Sequence, residues 1–169
     1  MHARSYATQT PAALQARLSL TANDFQRSSS LLIGVALFRR SPKLQLLVLR
    51  RAANEDLFPN CWAVPGGHID AGESVGEGLR REMQEETGLV ISKVLAEFNG
   101  MVWFDEEGRR AFQLNFIVDV ERSKEVVLRK EEHATWMWVD EEQAKTLHCS
   151  ENMAAMLQDA FRAAKATLG

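Results

Sequence analysis

Three glutamates, Glu82, Glu85 and Glu86, stand at positions i, i+3 and i+4 of the chain. On a helix such positions share one face, and three carboxylates crowded there repel one another. The arrangement becomes favourable when a hard cation sits among them, because Mg²⁺ and Ca²⁺ take oxygen ligands. Mg²⁺ in particular keeps several waters and binds one or two carboxylates together with substrate phosphates, which suits a site that clamps a diphosphate. An isolated acidic triplet is more often a solvated surface face, so the weight rests on what surrounds it.

The surroundings specify one helix. Val75, Leu79 and Met83 recur every four residues and predict a core-facing stripe. At 100° per residue Glu86 falls inside that stripe and Glu82 at its edge, so both acids are expected to be partly shielded from water, where their field on a metal or phosphate is stronger. Ser74 with Glu77 reads as a capping box, and Gly88 suits a left-handed C-cap. The helix should run from about Val75 to Thr87. Ahead of it, Pro65-Gly66-Gly67 reads as a turn whose glycines let backbone approach a ligand.

The whole stretch from Gly67 to Leu89 fits a longer pattern: Gly, five residues, Glu73, seven residues, Arg81-Glu82-Met83, one residue, Glu85-Glu86, one residue, Gly88-Leu89. A chance match in a chain of this length has a probability on the order of 10⁻⁷ at average residue usage. The pattern resembles the signature of the Nudix hydrolase family, with no departure inside the motif. The resemblance covers roughly Leu31 to Gln143, and a Nudix domain is expected over residues 30–169.

The resemblance implies hydrolysis of a nucleoside diphosphate linked to another moiety, with Mg²⁺ (or Mn²⁺) as cofactor. It implies that Glu82, Glu85 and Glu86 hold the metal, joined by the carbonyl of Gly67. Glu82 is the first choice for general base, and Arg81 is expected to pair with a motif glutamate. Glu73 either ligates through water or braces the loop. Some members take the base from outside the motif; here Glu131 and Glu132 are the candidates, and Glu132-His133 is the better match. Nucleoside triphosphates, damaged ones included, are the favoured substrates. ADP-ribose and other nucleotide sugars are the alternative. A non-catalytic module that binds a nucleotide or partner is the rival of another class. Isomerase chemistry on an allylic diphosphate would need a catalytic cysteine, for which Cys61 is the nearest candidate.

Outside the motif, the unbroken apolar run Leu31–Phe38 and the segment Leu44–Leu49 predict strands buried on both faces. Cys61–Val64 predicts a short strand. Leu89–Phe104 is rich in β-formers, with a break expected at Asn99-Gly100. Phe112, Leu114, Phe116, Val118 and Val120 alternate as a half-buried strand would, forming a hairpin with the preceding one around the polar turn from Asp105 to Arg109. Thr135–Val139 predicts one more strand. Asp140 with Gln143 opens a helix, and Ser150 caps a last one. A mixed sheet sandwiched between helices satisfies this order, in the α/β (α+β) class and of the same α/β/α type that the resemblance implies.

Size and charge limit the partners. The chain has 169 residues, 46% hydrophobic and 25% charged, with a net charge of −3, as expected of one domain with a real core. No basic run exceeds two residues, so a small nucleotide-like diphosphate is expected rather than a polymeric nucleic acid. No stretch approaches the roughly 18 apolar residues that cross a bilayer. Cys61 and Cys149 read as free thiols of a reducing compartment. The sequence leaves a homodimer open.

The first 29 residues carry Arg4, Arg17 and Arg27 against Asp24. They read as a tail and lead-in packed on the domain through Leu14, Leu18 and Leu20, with a mitochondrial transit peptide as the alternative to a cytoplasmic protein. For the substrate's base, Trp103, Phe104, Trp136 and Trp138 are stacking candidates, although strand aromatics are more often core. Arg51, at the end of its strand, is a candidate for a phosphate or an ordinary surface arginine.

Overall fold

In a computed structural model, residues 9–25, 30–104, 108–121 and 125–169 are described; of Trp103 only the backbone is. The tip of the expected polar turn, 105–107, lies outside them. Seven strands form a mixed sheet: β1 (Ser30–Arg40), β2 (Leu44–Arg51), β3 (Trp62–Ala63), β4 (Gly66–His68), β5 (Ile91–Phe104), β6 (Arg110–Val120) and β7 (His133–Val139). The order is β3-β2-β1-β6-β5, with β4 also on β1 and β7 also on β2. The β1–β6 pair is parallel and the rest are antiparallel. The helices are α1 (Pro11–Leu18), α2 (Val75–Thr87), α3 (Glu141–Ala144) and α4 (Glu151–Leu168).

The continuous apolar runs have a direct physical cause. Successive strand residues face opposite sides of a sheet, and here both sides are covered. Leu31, Ile33, Val35 and Leu37 of β1 with Leu47 and Leu49 of β2 meet Val75, Leu79 and Met83 of α2 on one side. Ala36, Leu46 and Val48 meet Met156, Leu157, Ala160 and Phe161 of α4 on the other. The result is the expected α/β/α sandwich. β6 is not the half-buried strand its alternation suggests. It lies between β1 and β5, and Leu114 through Val118 are all buried; Ile117 and Asn115 are covered as fully as Phe116.

Two further differences are local. The Gly66-Gly67 segment is not a turn but strand β4, paired with Leu32–Gly34 of β1. At Asn99-Gly100 the chain does not break; β5 continues through a bulge, where the register shifts between Phe98 and Met101. Ahead of β1, α1 lies against the α2 layer. Leu18 is buried, Leu14 and Leu20 pack on the same cluster, and Arg17 pairs with Glu97 at 2.7 Å.

Helix α2 is held at three places. Its apolar stripe Val75, Leu79 and Met83 is fully buried, which stabilises it by roughly 5–9 kcal/mol before chain entropy is counted. Ser74 accepts from the Glu77 N–H while Glu77 accepts from the Ser74 N–H. Gly88 closes the other end at φ 69°. Replacing Ser74 by Ala should therefore lower the unfolding free energy by about 1 kcal/mol, read as a shifted urea midpoint at unchanged m-value.

Candidate active site

The helix that carries the acids packs on β4, and the two glycines of β4 answer two close approaches, β1 at Gly66 and the helix at Gly67. Gly66 has φ 154°, and a Cβ there would lie 2.1 Å from the carbonyl oxygen of Ile33. At Gly67 a Cβ would lie 2.4 Å from Oε1 of Glu82. The Glu82 carboxylate thus rests directly against the backbone of β4, with its side chain 12% exposed. Burial is the main reason its carboxyl titrates above the usual range; the Arg81 hydrogen bond opposes this, and the nearby Glu86 charge adds to it.

Arg81 gathers the rest of this acidic face. Its Nε and one terminal nitrogen donate to both oxygens of Glu73 at 2.8 and 2.9 Å, a bidentate pair. The other terminal nitrogen reaches Glu82 at 2.9 Å and Glu85 at 3.4 Å. The guanidinium also donates to the His68 carbonyl at 2.8 Å. Glu73 accepts in addition from the Asp70 N–H. Its carboxyl lies below the ordinary range because of Arg81 foremost, and the same carboxylates hold the Arg81 guanidinium firmly charged.

Glu86 faces another way. Its Oε2 accepts from the Gly66 N–H at 2.9 Å, and its Oε1 lies 3.1 Å from Nε2 of His133. Among the described residues, the group of three ligand-bearing side chains whose ligand atoms lie within 4.8 Å of one another is Glu86, Glu132 and His133. Glu82 and Glu85 stand beside it, turned toward Arg81. The motif glutamates are therefore gathered on one helix end but divided between two partners.

The second wall comes from far along the chain. A helix leaves its last carbonyls without intrahelical partners. Here the N–H groups of Val127 and Arg129 take those of Thr87 and Glu86. The segment bearing Glu132 and His133 is thereby laid along the end of α2. Glu132 is partly exposed and pairs with Arg129 at 3.1 Å; Arg129 also lies 3.7 Å from Glu85. Sequence reasoning named Glu132 but gave His133 no role. The Glu-His dipeptide at the head of β7 was the available signal.

The remaining expected residues are scattered. The Arg51 guanidinium is held by Glu55 and the Leu57 carbonyl, while its backbone pairs with His133. Phe104 is exposed on β5, separated in the sheet from the β2–β7 pair by β6 and β1. The Trp103 side chain lies outside the described residues. Trp136 and Trp138 do share a side: both line a groove of about 520 Å³ with Leu37, Leu89 and Glu121, where Arg39 stacks on Trp138 at 4.5 Å. Cys61 is a free thiol, as is Cys149, whose thiol burial pushes up; neither belongs to the Glu86 cluster.

The donor set suits a divalent cation on the structure's own terms. Glycine backbone leaves room for carboxylate, acids converge on one rim, and a buried imidazole has no aligned hydrogen bond at either nitrogen.

The NUDIX domain family matches residues 31–159, which is most of the described fold and all of the acidic motif. The chain belongs to this family of hydrolases. m7GpppN-mRNA hydrolase NUDT17 of Xenopus laevis is 44% identical over 62 residues, 37% of this chain and 21% of that protein. Nucleoside triphosphatase NudI of Salmonella newport (strain SL254) is 27% identical over 104 residues, 57% of this chain and 74% of that one. The MutT NUDIX hydrolase of Burkholderia pseudomallei shares the fold at 19% identity and a TM-score of 0.64, over 78% of this chain and 97% of that one. The chain spans about a fifth of the length of the NUDT17 relatives it matches. No helix among the described residues is long and apolar enough to cross a membrane.

Two outcomes are expected at this site. Gly67→Ala pushes the Glu82 carboxylate out of its seat, so Mn²⁺ affinity by calorimetry should fall at least about tenfold while circular dichroism is retained. If Glu82 holds the metal, as the resemblance implies, a proton competes for its carboxylate, which burial pushes above the usual range. Metal affinity should therefore begin to fall, as pH is lowered, above the ordinary glutamate value of about 4.3.

Proposed function

We propose that this chain is a metal-dependent pyrophosphohydrolase that cleaves a phosphoanhydride bond in a nucleoside diphosphate linked to another group. The observation that carries the reading is the division of labour around α2. Arg81 orients Glu73, Glu82 and Glu85 on one side, and Glu86 meets Glu132 and His133 on the other.

Glu82, Glu85, Glu86 and the Gly67 carbonyl are the groups that would hold Mg²⁺ or Mn²⁺. When bound, such ions neutralise phosphate oxygens and make water a better nucleophile. Everything else is done by the protein. Glu82 accepts the proton of the attacking water; its shielded seat against β4 keeps the carboxylate basic. Arg81 fixes the Glu82 rotamer and keeps the charge of the acid face from scattering it. Glu73 braces the loop through the bidentate pair and the Asp70 N–H. Glu132, on the opposite wall, is the alternative base.

Nucleoside triphosphates, including damaged ones, are the first substrate choice, and the NudI name supports it. Capped mRNA, in the name of NUDT17, is the second reading, supported by a higher identity over a shorter stretch, and ADP-ribose or another nucleotide sugar is the third. A non-catalytic binding module is the rival disfavoured by the complete set of acids. Substrate preference is decided by a panel of triphosphates, cap dinucleotides and nucleotide sugars with Mg²⁺ or Mn²⁺, read by product mass. Glu82→Gln should lower kcat by about 10²- to 10⁴-fold. A Glu82→Gln chain with metal bound and turnover intact would remove Glu82 as the base and promote Glu132.

A further inference from the structure

We propose that His133 is itself a metal ligand, binding a divalent cation through Nε2 beside the carboxylates of Glu86 and Glu132, and that this nitrogen favours Mn²⁺ or Co²⁺ over Mg²⁺. The proposal rests on the reading that these acids hold a divalent ion, and it assigns a nitrogen donor that the acidic motif does not contain.

The side chain of His133 is 3% exposed, and that of its neighbour Glu86 is 6% exposed. Both imidazole nitrogens are buried without a hydrogen-bond partner. Such orphaned groups are rare, because a buried polar atom left without a partner is costly. Nε2 comes within 3.1 Å of Glu86 Oε1, yet the approach is too oblique for a ring N–H to donate. A simple ion pair would align the N–H with the oxygen. Two donors bound to one ion have no such need: each points at the metal, not at the other. Neighbouring corners of an octahedron with bonds of about 2.1 Å are about 3.0 Å apart, close to the observed separation.

The positions are set by the backbone, not by chance rotamers. Gly66 N–H holds Glu86 Oε2, which leaves Oε1 facing the imidazole. The His133 N–H donates to the Arg129 carbonyl, the Ala52 N–H to the Glu132 carbonyl, and the Arg129 N–H to the Glu86 carbonyl. The third donor, a Glu132 oxygen, lies within 4.8 Å of the other two. An imidazole donor strengthens binding of first-row transition ions, whereas Mg²⁺ sheds water reluctantly and gains little from nitrogen.

The test titrates Mn²⁺ into the full chain without nucleotide and reads ¹⁴N coupling to the bound ion by pulsed electron paramagnetic resonance. The chain has four histidines, and His68 on β4 is the one to control for. Coupling from a bound imidazole is expected in the wild type and in His68→Gln, and should vanish in His133→Gln. In that last variant Mn²⁺ and Co²⁺ affinity should fall at least about tenfold and Mg²⁺ affinity less than about threefold. If His133→Gln does not fold, the signal in His68→Gln decides. Bound Mn²⁺ without ¹⁴N coupling, or coupling that survives in His133→Gln, overturns the proposal and leaves the hydrolase reading standing. No Mn²⁺ uptake at all overturns both.

Discussion

Repulsion among carboxylates is the constraint to which the rest of this structure answers. Glu82, Glu85 and Glu86 are placed on one helix face by their spacing, and Glu73 joins them from the loop. A single guanidinium, that of Arg81, bonds three of the four and a backbone carbonyl besides. Its planar fork permits this where an ammonium would not. The fourth, Glu86, accepts from a backbone N–H and lies 3.1 Å from an imidazole nitrogen. The acids are held close together because one guanidinium supports three of them and the fourth is supported from another side.

That arrangement transmits its demands outward. Holding Glu82 against β4 requires a glycine at Gly67, and pairing β4 closely with β1 requires one at Gly66. Pinning β4 requires β1 beside it, and β1 can be apolar along most of its length because α2 and α4 cover both sides of the sheet. The two hydrophobic layers do unequal work. The α4 layer supplies bulk and rigidity. The α2 layer also fixes the rotation of the helix that bears the acids, since the buried stripe Val75, Leu79 and Met83 determines where Glu82, Glu85 and Glu86 point.

What was legible in the sequence is what is local. Helix α2, its capping box, its glycine stop and the partial burial of Glu82 and Glu86 follow from periodicity and short-range hydrogen bonding, and they are where the spacing puts them. The sandwich follows from doubly buried runs. Misreadings arose where neighbours decide. β6 alternates like a half-exposed strand, but its second face lies against α4. The Gly66-Gly67 pair looks like a turn, yet β1 draws it into the sheet. The bulge at Asn99-Gly100 keeps a strand going where composition suggests an end. Arg51 was read as either a phosphate contact or an ordinary surface arginine, with nothing local to decide between them; an acid four residues on engages its guanidinium. His133 was passed over because its meaning depends on Glu86, nearly fifty residues earlier, and no local pattern links the two.

The seam between α2 and the segment that follows β6 has a mechanical corollary. Peptide groups of Val127 and Arg129 complete the final turn of the helix, so neither piece can loosen without exposing unpaired polar backbone in the other. Opening there is a shared event with a shared free-energy cost, not independent fraying of a loop and a helix end. The glutamates of α2 and the segment bearing Glu132 and His133 therefore keep their relative placement, or lose it, together.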